Sequence, residues 1–164
     1  MKPGSGPADS EGRLVAVCRL LNEARVRYVV IGSFALALHG LVRATKDVDV
    51  LLEPTLRNAR RALDALSALP LGAAAELDPA RVVARPVTIV GDDPRVDLLT
   101  LAWSVRYADA APRMQRVTIG GVDIPFADLD TLIRSKRTNR LRDQADAEEL
   151  ERLKQLRGEP DLSS

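Results

Sequence analysis

A chain of 164 residues can bury one substantial core but hardly two, so residues 11–157 read as a single domain between flexible tails at 1–10 and 158–164. Hydrophobic residues make up 46% and charged residues 29%, which excludes a mainly disordered chain, and no apolar run approaches the ~20 residues that cross a bilayer. The 24 basic and 23 acidic residues leave a formal net charge of +1, so the whole molecule exerts no general pull on nucleic acid and any such contact needs a local patch.

The opening stretch MKPGSGPADSEG is rich in Gly, Pro and Ser and lacks the apolar centre of a signal peptide; the expectation is a loose tail on a cytoplasmic protein. Leu14, Val17, Cys18 and Leu21 recur at helical spacing and predict an amphipathic helix from about Glu11 to Ala24, with Cys18 as a core thiol. Tyr28-Val29-Val30-Ile31 is a short β-branched run that stops at Gly32-Ser33, and Phe34 to His39 predicts a short helix closed by Gly40. After a polar linker from Leu41 to Thr45, Lys46 to Leu52 reads as a strand ended by Pro54, and Arg57 to Leu69 as a helix outside the sheet. Arg81 to Val90, a Gly91-Asp92-Asp93-Pro94 turn and Arg95 to Leu101 predict one hairpin. Gln115 to Ile119 and Val122 to Phe126, flanking Gly120-Gly121, predict another. Ala127 to Arg157 reads as mostly helical, interrupted near Thr138-Asn139.

Three features of this order carry chemistry. Asp47 and Asp49 alternate with Val48 and Val50, so both carboxylates project from one strand face, roughly 6.5 to 7 Å apart along it. Side by side they repel, the local sequence offers only Arg43 as a counter-charge, and a bound cation would remove the penalty. Hard divalent cations such as Mg²⁺ take oxygen ligands and are usually held by one or two carboxylates plus substrate phosphates. Asp97, between Val96 and Leu98 on a later strand, brings a third carboxylate toward the same face, which points to a two-metal site. The plainer alternative for Asp-x-Asp is a turn or a solvated edge strand. Gly32 lets the backbone approach a phosphate, the helix start offers free N–H groups, and Ser33 adds a hydroxyl. An isolated Gly-Ser is otherwise an ordinary turn with Ser33 as N-cap.

In order, Gly32-Ser33, thirteen intervening residues, Asp47-Val48-Asp49 and Asp97 resemble the signature of the DNA polymerase beta-like nucleotidyltransferase superfamily. The stretch IGSFALALHGLVRATKDVDVLLE is similar to the minimal bacterial AbiEii-like branch, whose Arg-x-Thr-x-Asp-x-Asp pattern is matched by Arg43, Thr45, Asp47 and Asp49. The carboxy-terminal LIRSKRTNRLRDQADAEEL is similar to that branch's closing helices, and the resemblance spans about Tyr28 to Leu150. It implies an α+β fold, a mixed sheet flanked by helices with further helices at the C-terminus, and a nucleoside triphosphate in its cleft. It also implies that Asp47, Asp49 and Asp97 hold two Mg²⁺ or Mn²⁺ ions and carry catalysis, while Gly32, Ser33, Arg43, Thr45 and Lys136 bind the nucleotide. A nucleoside monophosphate would pass to a hydroxyl of a protein, a tRNA or a small molecule, and no motif here selects among them. Several branch members act as toxins or antitoxins, so a partner of that kind is a further expectation. The rival reading is a nucleotide-binding module with the same fold and no turnover.

Leu129, Leu132, Ile133 and Lys136 fall at i, i+3, i+4 and i+7, which places a lysine on the core-facing stripe of its helix. A lysine there meets an anion or runs its stem out to water. In the family likeness it reaches the triphosphate. Arg140 and Asp143 continue the stripe as lesser candidates, and Asp146 reads as solvated. His39, the single histidine, lies between Leu38 and Leu41 and takes a structural place at a helix end. The GxxxxGK[ST] phosphate loop and the GxGxxG fingerprint are both missing, which removes the common P-loop and dinucleotide readings.

Overall fold

The computed structural model describes residues 7–159. Along the chain run α1 (Pro7–Glu23), β1 (Tyr28–Ile31), α2 (Gly32–Leu38), β2 (Asp47–Leu52), α3 (Leu56–Leu66), α4 (Pro79–Ala84), β3 (Val87–Val90), β4 (Arg95–Leu99), α5 (Tyr107–Ala110), β5 (Gln115–Ile119), β6 (Val122–Phe126), α6 (Leu129–Ser135) and α7 (Leu141–Leu156). Short 3₁₀ segments at Pro70–Glu76 and Ala111–Arg113 complete the order.

The strands form one mixed sheet in the order β3-β4-β2-β1-β6-β5. The couples β1/β2, β3/β4 and β5/β6 are antiparallel, while β2/β4 and β1/β6 are parallel. All of β1 is buried, which is why its run is apolar without alternation. On β2 and β4 the pattern changes: Val48, Val50, Val96 and Leu98 are buried and the residues between them are not. Helix α1 packs against α3 and β6, whereas α2 lies against β1, β2 and α6, and α6 packs on α7. Leu14, Val17, Cys18 and Leu21 all join the core, as their spacing predicts, and burial pushes the Cys18 thiol up to about 11 despite its hydrogen bond with Tyr28. The Thr55 hydroxyl caps α3 by accepting from the Asn58 N–H at 3.1 Å, and the Asn58 side chain bonds the Arg27 N–H and carbonyl, seating α3 beside the start of β1. This is the predicted α+β architecture of a mixed sheet flanked by helices.

Several boundaries differ from the sequence reading. Helix α1 begins at Pro7 rather than Glu11, and Ser10 Oγ donates to the Thr45 carbonyl at 3.0 Å, so residues 7–10 are not tail. Residues 1–6 and 160–164, the rest of the expected tails, lie outside the described residues. Of the strand expected over Arg81 to Val90, only Val87–Val90 is strand. The Asp78 carboxylate accepts from the Ala80 N–H at 3.0 Å and Pro79 fills the first turn, so Val82-Val83 are drawn into α4; Pro86 then holds Arg85 extended and ends it. Helix α3 stops at Leu66 and β4 at Leu99, three and two residues early. The second hairpin falls as predicted, with Gly120 and Gly121 at φ +57° and +77°. Among the described residues no helix is long and apolar enough to cross a membrane.

Candidate active site

Strand register assembles the acidic patch. In the parallel pair β2/β4, Asp49 is level with Asp97 and Asp47 with Arg95, and level residues on neighbouring strands share a face. Burial pushes the Asp49 carboxyl up to about 7, reinforced by the charge of Asp97, a hydrogen bond between the two carboxyls and the charge of Asp47, against a downward pull from Lys136.

Arg95 is the counter-charge on this face. Its Nε donates to Asp97 Oδ1 at 2.9 Å and its Nη2 to Oδ2 at 3.3 Å, while Asp47 Oδ2 stands 3.7 Å from Nε. The sequence reading passed over it, although Arg95 lies two residues before Asp97 and alternation places both on one side. Arg43, the counter-charge expected there, is held instead by α7, with Nη2 at 2.6 Å from Asp146 Oδ1 and 3.2 Å from Glu149 Oε2.

Gly32 adjoins the carboxyl pair at φ +69°, and a Cβ built on it would overlap the Asp49 carboxylate. Glycine alone both accepts that φ and leaves the space. Asp49, Asp97 and Gly32 line a cleft of about 610 Å³. One wall is the α6–α7 turn, with Ser135, Lys136, Thr138, Asn139, Arg140 and Asp143. Val87, Leu99, Leu101, Ala102 and Trp103 form an apolar wall.

Lys136 caps the C-terminus of α6, and its side chain is 18% exposed. Its Nζ meets Asp143 Oδ1 at 3.4 Å and Asp146 Oδ2 at 3.2 Å, so the anions this lysine needs are supplied by α7. Asp146 is thus buried and paired rather than solvated. Burial would raise the Asp143 carboxyl, but the Thr138 hydroxyl, 2.6 Å away, and the Lys136 charge together hold it below its ordinary value.

Ser33 sits half-buried in the first turn of α2 and does not line the cleft; Ile31, not Ser33, is the N-cap. Arg43 and Thr45 line a different, largely apolar cavity of about 480 Å³ together with α1 and α2 residues such as Leu14, Phe34 and Leu38. Thr45 Oγ1 donates to the Asp47 carbonyl at 3.2 Å and braces the entry to β2. The structure therefore gathers Gly32, Asp49, Asp97 and Lys136 in one cleft, keeps Asp47 at its edge with Arg95, and leaves Ser33, Arg43 and Thr45 outside it. His39 has the expected structural place: Arg157 Nη1 donates to its Nδ1 at 3.1 Å, so Nε2 carries the proton and donates to the Ala127 carbonyl at 2.8 Å.

Fit to a divalent cation rests on the level Asp49/Asp97 pair and on the room that Gly32 leaves above it. Among the described residues no three His, Cys, Asp or Glu side chains are grouped closely enough to enclose an ion, because Asp47, 44% exposed, is turned to Arg95. Two hard oxygen donors with excess negative charge match a cation that keeps waters and takes its other ligands from phosphate.

This sheet, with a glycine turn beside Asp-x-Asp and a level third aspartate, is a nucleotidyltransferase fold. The chain belongs to the family described as nucleotidyltransferase of unknown function, DUF6036, which it matches over residues 13–159. It is similar to the crystal structure of a provisionally assigned nucleotidyltransferase from Thermotoga maritima, at 16% identity and a TM-score of 0.53 over 93% of this chain and 92% of that one. It is also similar to an antigenic nucleotidyltransferase-like protein from Paracoccidioides brasiliensis, at 16% identity and a TM-score of 0.55 over 91% and 77%. Likeness at these identities shows the fold alone. No curated protein matches the chain.

Proposed function

We propose that this protein transfers a nucleoside monophosphate from a nucleoside triphosphate to an acceptor hydroxyl and releases pyrophosphate. The observation that supports it is the level pair Asp49 and Asp97 beside Gly32, two carboxyls in hydrogen-bond contact in a cleft that Lys136 also lines. The proposed cofactor is a pair of Mg²⁺ or Mn²⁺ ions held by Asp49 and Asp97, with Asp47 joining them once Arg95 turns away. Such ions, when bound, neutralise phosphate charge and stabilise the departing oxygen. Asp97 takes the acceptor hydroxyl's proton as the oxygen attacks the α-phosphorus, and the bond to the bridging oxygen breaks with its electron pair leaving on pyrophosphate. Lys136 turns from Asp143 and Asp146 to the β- or γ-phosphate; Thr138 and Arg43 remain to satisfy those two carboxylates. The AbiEii-like likeness belongs to the same reading, with protein, tRNA or a small molecule as acceptor and a toxin or antitoxin as partner.

Incubation with each labelled nucleoside triphosphate, Mg²⁺ and a cell lysate tests this. The expected result is a labelled species that forms with wild type and not with Asp97→Asn. Arg95 gives the second reading its footing, because a guanidinium chelating Asp97 neutralises the group that would take the proton. A triphosphate that binds but never yields pyrophosphate with any acceptor pool selects that reading, a binding module without turnover.

A further inference from the structure

Trp103 is the only tryptophan in the chain, and it occupies a backbone position that its size makes costly. Ala102 and Val105 exchange both backbone hydrogen bonds, at 2.9 and 3.0 Å, and close a two-residue turn over Trp103-Ser104. Trp103 stands at φ +57°, in the left-handed region where such turns normally place Gly, Asn or Asp. A bulky side chain there is a strain that surrounding structure must hold. The turn is held: Ala102 and Val105 are buried, while the indole they carry is 56% exposed and lines the same cleft as Asp49 and Asp97. Val87, 44% exposed, with Leu99 and Leu101, extends the apolar wall beside it. The cleft thus offers a charged floor and a flat aromatic wall, the two chemistries that a nucleotide presents as phosphate and base.

We propose that Trp103 is a stacking platform for a nucleobase bound in this cleft, an inference that rests on the nucleotidyltransferase reading and gives the substrate end that the aspartates do not touch. The base comes either from the nucleoside triphosphate itself or from a nucleotide acceptor. Because this indole is the sole tryptophan, its fluorescence reports the contact directly. The full chain with Mg²⁺ is titrated with ATP, with UTP, with inorganic tripolyphosphate and with a short single-stranded RNA, calorimetry running in parallel.

Base-bearing ligands quench the indole and tripolyphosphate does not. Quenching by ATP or UTP assigns the triphosphate's own base; quenching by RNA alone assigns an acceptor base. Trp103→Leu weakens the base-bearing ligand roughly 5- to 150-fold, the range expected for one lost stack, and leaves tripolyphosphate unchanged. Trp103→Asn gives the same loss while relieving the turn, so a more heat-stable variant that has lost affinity rules out misfolding as the cause. Wild-type affinity for ATP, UTP and RNA in Trp103→Asn, or saturation by calorimetry with a silent indole, overturns the inference and spares the proposed function if Mg²⁺-dependent triphosphate binding persists. Quenching by RNA without any triphosphate binding keeps the platform and overturns the transferase reading. If none of the base-bearing ligands binds, both fall.

Discussion

Asp128 and Asp130, at the start of α6, and Asp47, Asp49 and Asp97, on β2 and β4, are acidic groups partly withdrawn from water, yet the fold surrounds them in opposite ways. Arg113 reaches Asp128 Oδ2 at 2.9 Å and Asp130 Oδ2 at 2.6 Å, and Lys154 reaches Asp130 Oδ1 at 2.5 Å. Two carboxylates there meet two cations, and Lys154 and Asp130 are only 3% and 9% exposed. On the sheet, Arg95 is in contact with two of three carboxylates, and Asp49 hydrogen-bonds to another carboxyl. A buried charge without a partner costs stability, so an unbalanced acidic patch marks a candidate binding site. The matched group braces α6 and α7; the unmatched group is the candidate site.

The sharpest break in this contrast is chemical. Asp49→Asn should lower transfer by on the order of 10³ or more, since metal-assisted charge stabilisation is worth several kcal/mol. The same change should leave thermal stability at pH 8 equal or higher, because it removes a like-charge contact. Pyrophosphate release beside a melting curve reads both, and undiminished turnover would take Asp49 out of the site. The matched group predicts the reverse. Asp130→Ala takes a buried ion-pair partner from both Lys154 and Arg113 and should cost about 3–5 kcal/mol in urea unfolding; a loss under about 1 kcal/mol would erase the contrast.

Lys136 stands between the two situations. Lys136→Met should weaken triphosphate binding by about 1.5–3 kcal/mol and barely touch monophosphate binding. Asp143 and Asp146 lean on this ammonium, so a small fall in melting temperature should accompany the loss. Equal ligand-induced shifts in variant and wild type would assign the lysine wholly to α7.

The smallest effect belongs to His39, which burial holds below its ordinary value of 6.5, with Arg157 adding to the shift against the Ala127 carbonyl, Glu159 and Asp128. The unfolded chain takes its proton near pH 6.5 and the folded chain only at lower pH. Unfolding free energy therefore falls as pH drops through that window, by at most about 1.4 kcal/mol per unit. His39→Gln should flatten the slope between pH 7 and 5, and an unchanged slope would place the titration elsewhere.

The aspartates were legible because strand period alone decides which side chains share a face. Register did the rest by setting Asp97 level with Asp49. Arg43 and Thr45 were misplaced for the opposite reason. Nearness in sequence to Asp47 says nothing about where a linker runs, and the carboxylates that claim Arg43 lie 103 and 106 residues away. Helix α4 was hidden by Val82-Val83, whose strand preference yields to the Asp78-Pro79 start. Trp103 belongs to no periodic pattern, and only the positive φ of its turn marks it. Lys136 was placed on the correct stripe, but its protein partners on the next helix could not be read from its own.

Under the proposed function, a divalent cation and a triphosphate together complete the unbalanced carboxylates on β2 and β4. Calorimetric titration of wild type and Asp49→Asn with a nucleoside triphosphate, in Mg²⁺ and in chelator, tests it most directly. Wild type should bind at least roughly tenfold more tightly in Mg²⁺ than in chelator, a difference of about 1.4 kcal/mol, with no such difference in the variant. Equal affinity of wild type in Mg²⁺ and in chelator would contradict it.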